Sequence, residues 1–142
     1  MADSGIIKIG QVKQVGIAVR NTSELVEALS STFGFSDWRT VMRGGVDAKG
    51  RPWQTSLTHC QWGPMDIELI QPVEGRIVQS SWIEKHGDGI HHIAFPVPDV
   101  RAATAQIEGR PGFKILLKGP TFTYIEVCGG MIIELVPEAT HP

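Results

Sequence analysis

Four residues in this sequence have the types and placement needed to hold a divalent metal ion: Gln14, Glu68, His92 and Glu134. Each leads or interrupts a run that alternates like a β-strand. Glu68 lies between Ile67 and Leu69, and Glu134 between Ile133 and Leu135. With side chains alternating faces at period two, each carboxylate points away from its apolar neighbours. An ionised carboxylate in so apolar a strand is costly to bury unless something compensates it, and a cation does so directly. The set offers nitrogen and oxygen donors and no sulfur, which suits zinc, cobalt, nickel, manganese or iron(II), with room for water or substrate oxygens. Any one of the four, taken alone, reads better as a polar residue on a solvated sheet face. Their weight comes from occupying matching places in an internal repeat.

The repeat is visible in the opening runs Gln14-Val-Gly-Ile-Ala-Val and His92-Ile-Ala-Phe-Pro-Val. A helix-start signal follows each, Asn21-Thr22-Ser23-Glu24 in one copy and Pro98-Asp99 in the other. Apolar residues then recur at helical spacing: Leu25, Ala28, Leu29 and Phe33, and again Val100, Ala103 and Ile107. Each helix is expected to end near a Gly-Phe pair, Gly34-Phe35 or Gly112-Phe113. The copies close alike, with Asp66-Ile-Glu-Leu-Ile and Ile132-Ile-Glu-Leu-Val. Further strands are expected near 37–43, 53–62, 114–118 and 121–128, separated by glycine and proline turns. The fold class is therefore α+β, with two copies of strand, helix and about three strands. One copy covers about 11–72, a connector 73–89, and the second copy about 90–137, all within a single domain spanning 1–142. In the connector Ser80 or Ser81 is expected to cap a short helix that stops at Gly87.

Alternation sorts the opening strands. Val15, Ile17 and Val19, like Ile93, Phe95 and Val97, are assigned to the helix-covered core. Gln14, Gly16 and Ala18, like His92, Ala94 and Pro96, take the other face, where small residues leave room for a cavity. His91 falls on the apolar side and reads as a buried, hydrogen-bonded histidine. His59, His86 and His141 lack this registration and are not assigned as ligands.

Composition narrows the functional classes. The chain of 142 residues is 42% hydrophobic and 20% charged with a formal charge of −2, which gives no basic footprint for nucleic acid. No apolar run reaches the roughly 18 residues of a membrane span. The Met1-Ala2-Asp3-Ser4-Gly5 start lacks the order of a secretory signal, and Cys60 and Cys128 read as buried reduced thiols. A cytoplasmic protein is expected.

These patterns resemble the vicinal oxygen chelate superfamily, in which paired βαβββ modules form a cupped mixed sheet around a metal. The resemblance runs from Val12 to Val136. It is closest over Ser80-Ser81-Trp82-Ile83-Glu84-Lys85-His86-Gly87-Asp88-Gly89-Ile90-His91-His92-Ile93-Ala94-Phe95 and Ile67-Glu68-Leu69-Ile70-Gln71-Pro72, which are similar to methylmalonyl-CoA epimerases. Carried over by position, the ligands are Gln14, Glu68, His92 and Glu134. Gln14 stands where the epimerases usually have histidine, so the set is also similar to that of animal-type glyoxalase I. The position of that enzyme's glutathione-binding arginine is Ala18 here. Extradiol dioxygenases share the fold but require two histidines and one glutamate.

The epimerases place two acids on opposite sides of the substrate's acidic carbon. One corresponds to Glu134; the other falls near Trp53–Thr58, and no acid occurs between Asp47 and Asp66. The resemblance therefore implies a one-base isomerase, epimerase or lyase. It would enolise a small carbonyl or acyl-CoA-like substrate chelated to one divalent metal, with Glu134 as catalytic base. Gln54, Ser56 and Thr58 are expected to hydrogen-bond substrate, and Trp53 and Trp62 to wall the pocket. Arg39, Arg43, Lys49 and Arg51 read as a solvated face. A homodimer is expected. The alternative is a protein of the same fold that sequesters a small molecule without turnover.

Overall fold

The computed structural model describes residues 5–138; His141 and the first four residues lie outside them. The described residues divide into two compact units, one of residues 15–91 and the other of residues 5–14 together with 92–138. The first contains all of strand β1 (Gln14–Ala18) after its first residue. Helix α1 (Thr22–Phe33), strands β2 (Arg39–Val46), β3 (Pro52–Trp62) and β4 (Met65–Glu74), and helix α2 (Val78–His86) follow. Its strands are ordered β2-β3-β4-β1. Strand β5 (Gly89–Val97) carries the chain into the second unit, with helix α3 (Val100–Ile107) and strands β6 (Phe113–Lys118), β7 (Thr123–Val127) and β8 (Met131–Pro137). These are ordered β5-β8-β7-β6. In each module the opening strand lies beside the closing one, then the third, then the second. The repeat read from the sequence is thus a repeat of topology, two βαβββ modules of the expected α+β class. Pairing is mixed: β5 and β8 run parallel, whereas β2–β3, β3–β4, β6–β7 and β7–β8 are antiparallel.

Local chemistry explains the helix starts. The Asn21 side chain accepts from the Glu24 amide at 3.2 Å, and Asp99 accepts from Ala102 at 3.0 Å, each satisfying a donor that the first turn leaves open. Gly34 ends α1 with φ of +77°, a conformation glycine adopts without strain. Three expectations shift. Helix α3 stops at Ile107, a turn before Gly112, which instead leads into β6. The α2 cap falls on Ile77, and Ser80 sits in the first turn, its hydroxyl accepting from the Ile77 amide at 2.9 Å. The first of the less regular strands begins two residues late and runs to Val46.

In the second module, Val97, Ala103, Ile107, Ile125 and Leu135 form a buried cluster, with Val100, Ile115, Val127 and Ile133 packed against it. Val100, Ala103 and Ile107 are the apolar stripe read from helical spacing, and Ile133 and Leu135 flank Glu134 as alternation requires. Replacing Ile125 by alanine is expected to cost about 2–5 kcal/mol, read as a lower urea midpoint at unchanged slope. In the first module Leu25 and Leu29 are only half-buried, and Phe33 is exposed. Cys60 is buried, but Cys128 is exposed at the β7–β8 turn with φ of +53°, which corrects its assignment to the interior. No helix among the described residues is long and apolar enough to cross a membrane.

Candidate metal centre

Three strands deliver Gln14, His92 and Glu134 to one point. Gln14 opens β1, and the segment before it is tied to β5 by hydrogen bonds from Gly10 N to Pro96 O (2.9 Å) and from Lys13 N to Ala94 O (3.2 Å). Glu134 is brought alongside β5 by parallel pairing, opposite Ala94. Ala94 is the small residue two positions after His92, on the same face. The His92 Nε2 atom is 3.3 Å from Gln14 Oε1 and 3.2 Å from Glu134 Oε1. A single ring nitrogen therefore faces two oxygens, one neutral and one carboxylate. His92 is only 1% exposed, and Glu134 9%.

Tyr124 completes this corner. It pairs across the β7–β8 hairpin with Glu134, and its ring meets the His92 imidazole edge-on, centroids 5.0 Å apart. Sequence reasoning missed it, since a lone tyrosine in an alternating run carries no signal until the hairpin register is known.

Glu68 is placed in the other unit, in β4, and its strand partner is His59 of β3. His59 Nε2 is 3.4 Å from Glu68 Oε2, and His59 Nδ1 is 3.0 Å from Asp66 Oδ2. Asp66 lies two residues before Glu68 in β4 and so shares its face, whereas the sequence spacing gives His59 no role. The Asp66 carboxylate, by hydrogen bonding to the ring, raises the His59 pKa, with a smaller contribution from Glu68 and some opposition from burial. A raised histidine pKa stabilises the fold while the ring is protonated, and that stabilisation disappears as pH climbs through the folded value. Asp66→Asn is therefore expected to lose most stability relative to wild type between the carboxylate range and pH about 6.5, with the gap narrowing above it. Urea titrations of both proteins across that window measure the difference.

The register of β3 also places the residues expected to bind substrate. Thr58 pairs with Leu69 and Ser56 with Gln71, so both share the face of Leu69 rather than that of Glu68. Thr58 is 3% exposed and its hydroxyl meets that of Thr40 at 3.0 Å. Gln54 lies beyond a register shift between Gln54 and Thr55, and alternation keeps it with Ser56. The β3 residues on Glu68's face are Thr55, Leu57 and His59. Trp53 is half-buried, while Trp62 is exposed and stacks on Phe35 at 4.1 Å. Arg39, Arg43, Lys49 and Arg51 are all exposed, as a solvated face requires. His91 is buried and meets the Trp82 ring edge-on at 5.5 Å.

The donors of the first cluster suit a borderline divalent cation. They comprise an imidazole nitrogen with an amide oxygen and a carboxylate oxygen each within 3.3 Å of it. Among the described residues there is no group of three or more His, Cys, Asp or Glu side chains placed to hold a metal; the amide oxygen of Gln14 is the third donor atom of this cluster.

Fold and residues together define the class. The family model of the Glyoxalase/Bleomycin resistance protein/Dioxygenase superfamily matches residues 13–126, and the chain belongs to that superfamily. Among solved structures, the methylmalonyl-CoA epimerase of Streptomyces coelicolor, a serine-to-threonine variant in complex with 2-nitronate-propionyl-CoA, is 25% identical. It aligns over 95% of this chain and 100% of that one, with a TM-score of 0.65. The epimerase of Mycobacterium tuberculosis is 22% identical over 98% of this chain and 93% of that one, with a TM-score of 0.64. A hypothetical protein from Bacillus halodurans is 18% identical over 93% and 96%, with a TM-score of 0.68. The last two share the fold. Among curated protein sequences, none matches this one.

Proposed function

We propose that this protein is a metal-dependent isomerase, epimerase or lyase that removes a proton from the carbon beside a carbonyl, in a small acyl or acyl-CoA-like substrate. The observation that carries this reading is the convergence of Gln14 and Glu134 on the Nε2 atom of the buried His92. Similarity to methylmalonyl-CoA epimerases supports the reaction class. Gln14, His92 and Glu134 would hold one divalent cation. Glu68 is proposed as the fourth ligand from its place in the repeat, where it is the counterpart of Glu134. When bound, the cation supplies Lewis-acid stabilisation of negative charge on a substrate oxygen.

The residues of the chain do the rest. Glu134 accepts the proton: the carbon–hydrogen bond breaks, its electron pair moves toward the carbonyl oxygen, and the carboxylate takes the hydrogen. Gln14, being neutral, adds no charge that would compete with Glu134 for that proton. The buried Tyr124 ring packs against His92 and fixes the imidazole's orientation. Because β3 contributes no acid between Asp47 and Asp66, proton return from a second side-chain base is not part of this mechanism. A one-base isomerisation or elimination follows more naturally than two-base epimerisation. The reading takes the chain as one working domain, cytoplasmic and paired as a homodimer.

The test is solvent exchange. Cobalt- or zinc-loaded protein is incubated in deuterium oxide with methylmalonyl-CoA and with simpler 2-substituted 3-oxo acids, and label is read by mass spectrometry. Label at the carbon beside the carbonyl, faster than with metal-free protein, is the expected result. Tight binding of these compounds with no exchange in any would sink the catalytic reading in favour of sequestration.

A further inference from the structure

The β3–β4 hairpin turns through Gly63-Pro64, with Trp62 paired to Met65. Three residues out from that pair, His59 faces Glu68. The second module repeats the arrangement: Val127 pairs with Met131, and three residues out Tyr124 faces Glu134. The two carboxylates thus have cross-strand partners in equivalent positions, and those partners differ in kind. Glu134 has a phenol beside it, whereas Glu68 has an imidazole that a second carboxylate, Asp66, holds from behind at 3.0 Å.

We infer that His59 is a positioning residue that holds one oxygen of Glu68, leaving the other for the metal, and that Asp66 orients it for this task. The inference rests on the proposal that Glu68 is a ligand. Geometry carries it. The two ring nitrogens meet two different carboxylates, Nδ1 that of Asp66 and Nε2 that of Glu68 at 3.4 Å, so the ring plane is set from both ends. A carboxylate left to rotate about its last bonds presents its oxygens in many directions, and outer partners that stop this typically change metal affinity by about 10- to 100-fold.

The experiment measures cobalt(II) affinity of the full chain by competition with a chromophoric chelator, in wild type, His59→Asn, His59→Gln, Glu68→Ala, His92→Ala and the His59→Asn/Glu68→Ala double variant. Asparagine is too short to reach Glu68 and should weaken binding about 10- to 100-fold. Glutamine, whose amide nitrogen occupies nearly the place of Nε2, should retain most of the affinity and serves if the asparagine variant folds poorly. The double variant should bind no more weakly than Glu68→Ala alone, because His59 acts only through Glu68. Affinity within twofold of wild type in His59→Asn, beside a large loss in Glu68→Ala, would overturn the inference and leave the ligand reading intact. Unchanged affinity in Glu68→Ala, beside a large loss in His92→Ala, would remove Glu68 as a ligand and the inference with it.

Discussion

Glutamine in place of Glu134 is expected to slow exchange of the substrate's acidic hydrogen by about 10²- to 10⁴-fold, the usual contribution of a positioned general base. The substitution keeps the size of the side chain and an oxygen that can still face His92 Nε2, now 3.2 Å from Glu134 Oε1. It removes the ability to accept a proton at neutral pH. The loss should therefore fall on kcat, with KM changed little, because a group that acts only as the proton moves leaves ground-state binding alone. Some metal affinity should be lost too, since an amide is a weaker ligand than a carboxylate, and assays at saturating metal separate the two effects. Exchange within tenfold of wild type at saturating metal would place the base elsewhere.

The second large effect is expected from His92→Ala. His92 is the atom-level hub of the cluster, its Nε2 facing both Gln14 and Glu134, and it is 1% exposed. Its loss should reduce metal affinity by more than the roughly 10- to 100-fold typical of an outer partner. It also leaves a hole beside Tyr124, so some loss of stability is expected even without metal. The comparison that separates the two is thermal unfolding with and without cobalt(II). Wild type should gain stability on metal addition as binding to the folded state requires, and the variant should gain almost none. Equal gains in both proteins would show that the metal binds elsewhere.

Much of this architecture is written in local patterns. Asn21 and Asp99 cap their helices as their types and positions indicate, and Val100, Ala103 and Ile107 bury the stripe that helical spacing marks. The placement of Glu134 opposite the core-facing Ile133 and Leu135 follows from period two alone. What alternation cannot supply is the pairing between strands. Gln54, Ser56 and Thr58 share a face, but the register with β4 decides which face it is, and it is Leu69's rather than Glu68's. The same gap hid His59 and Tyr124, whose significance depends on standing opposite a carboxylate. Both were within reach of a turn-based count. Gly63-Pro64 and Cys128-Gly129-Gly130 are strong turn signals, and three steps outward from the strand ends beside each lead to His59 and Glu68, or to Tyr124 and Glu134. Cys128 differs from its expected burial for a related reason: it sits in the turn itself, in the left-handed region, and is exposed.

The most direct test of the metal centre is the metal content of untagged protein by inductively coupled plasma mass spectrometry, beside a Glu68→Ala/His92→Ala double variant. About one transition metal ion per chain in wild type and almost none in the variant is the result predicted by the N/O donor set. A wild type that carries no metal and takes up none when it is added would contradict the account.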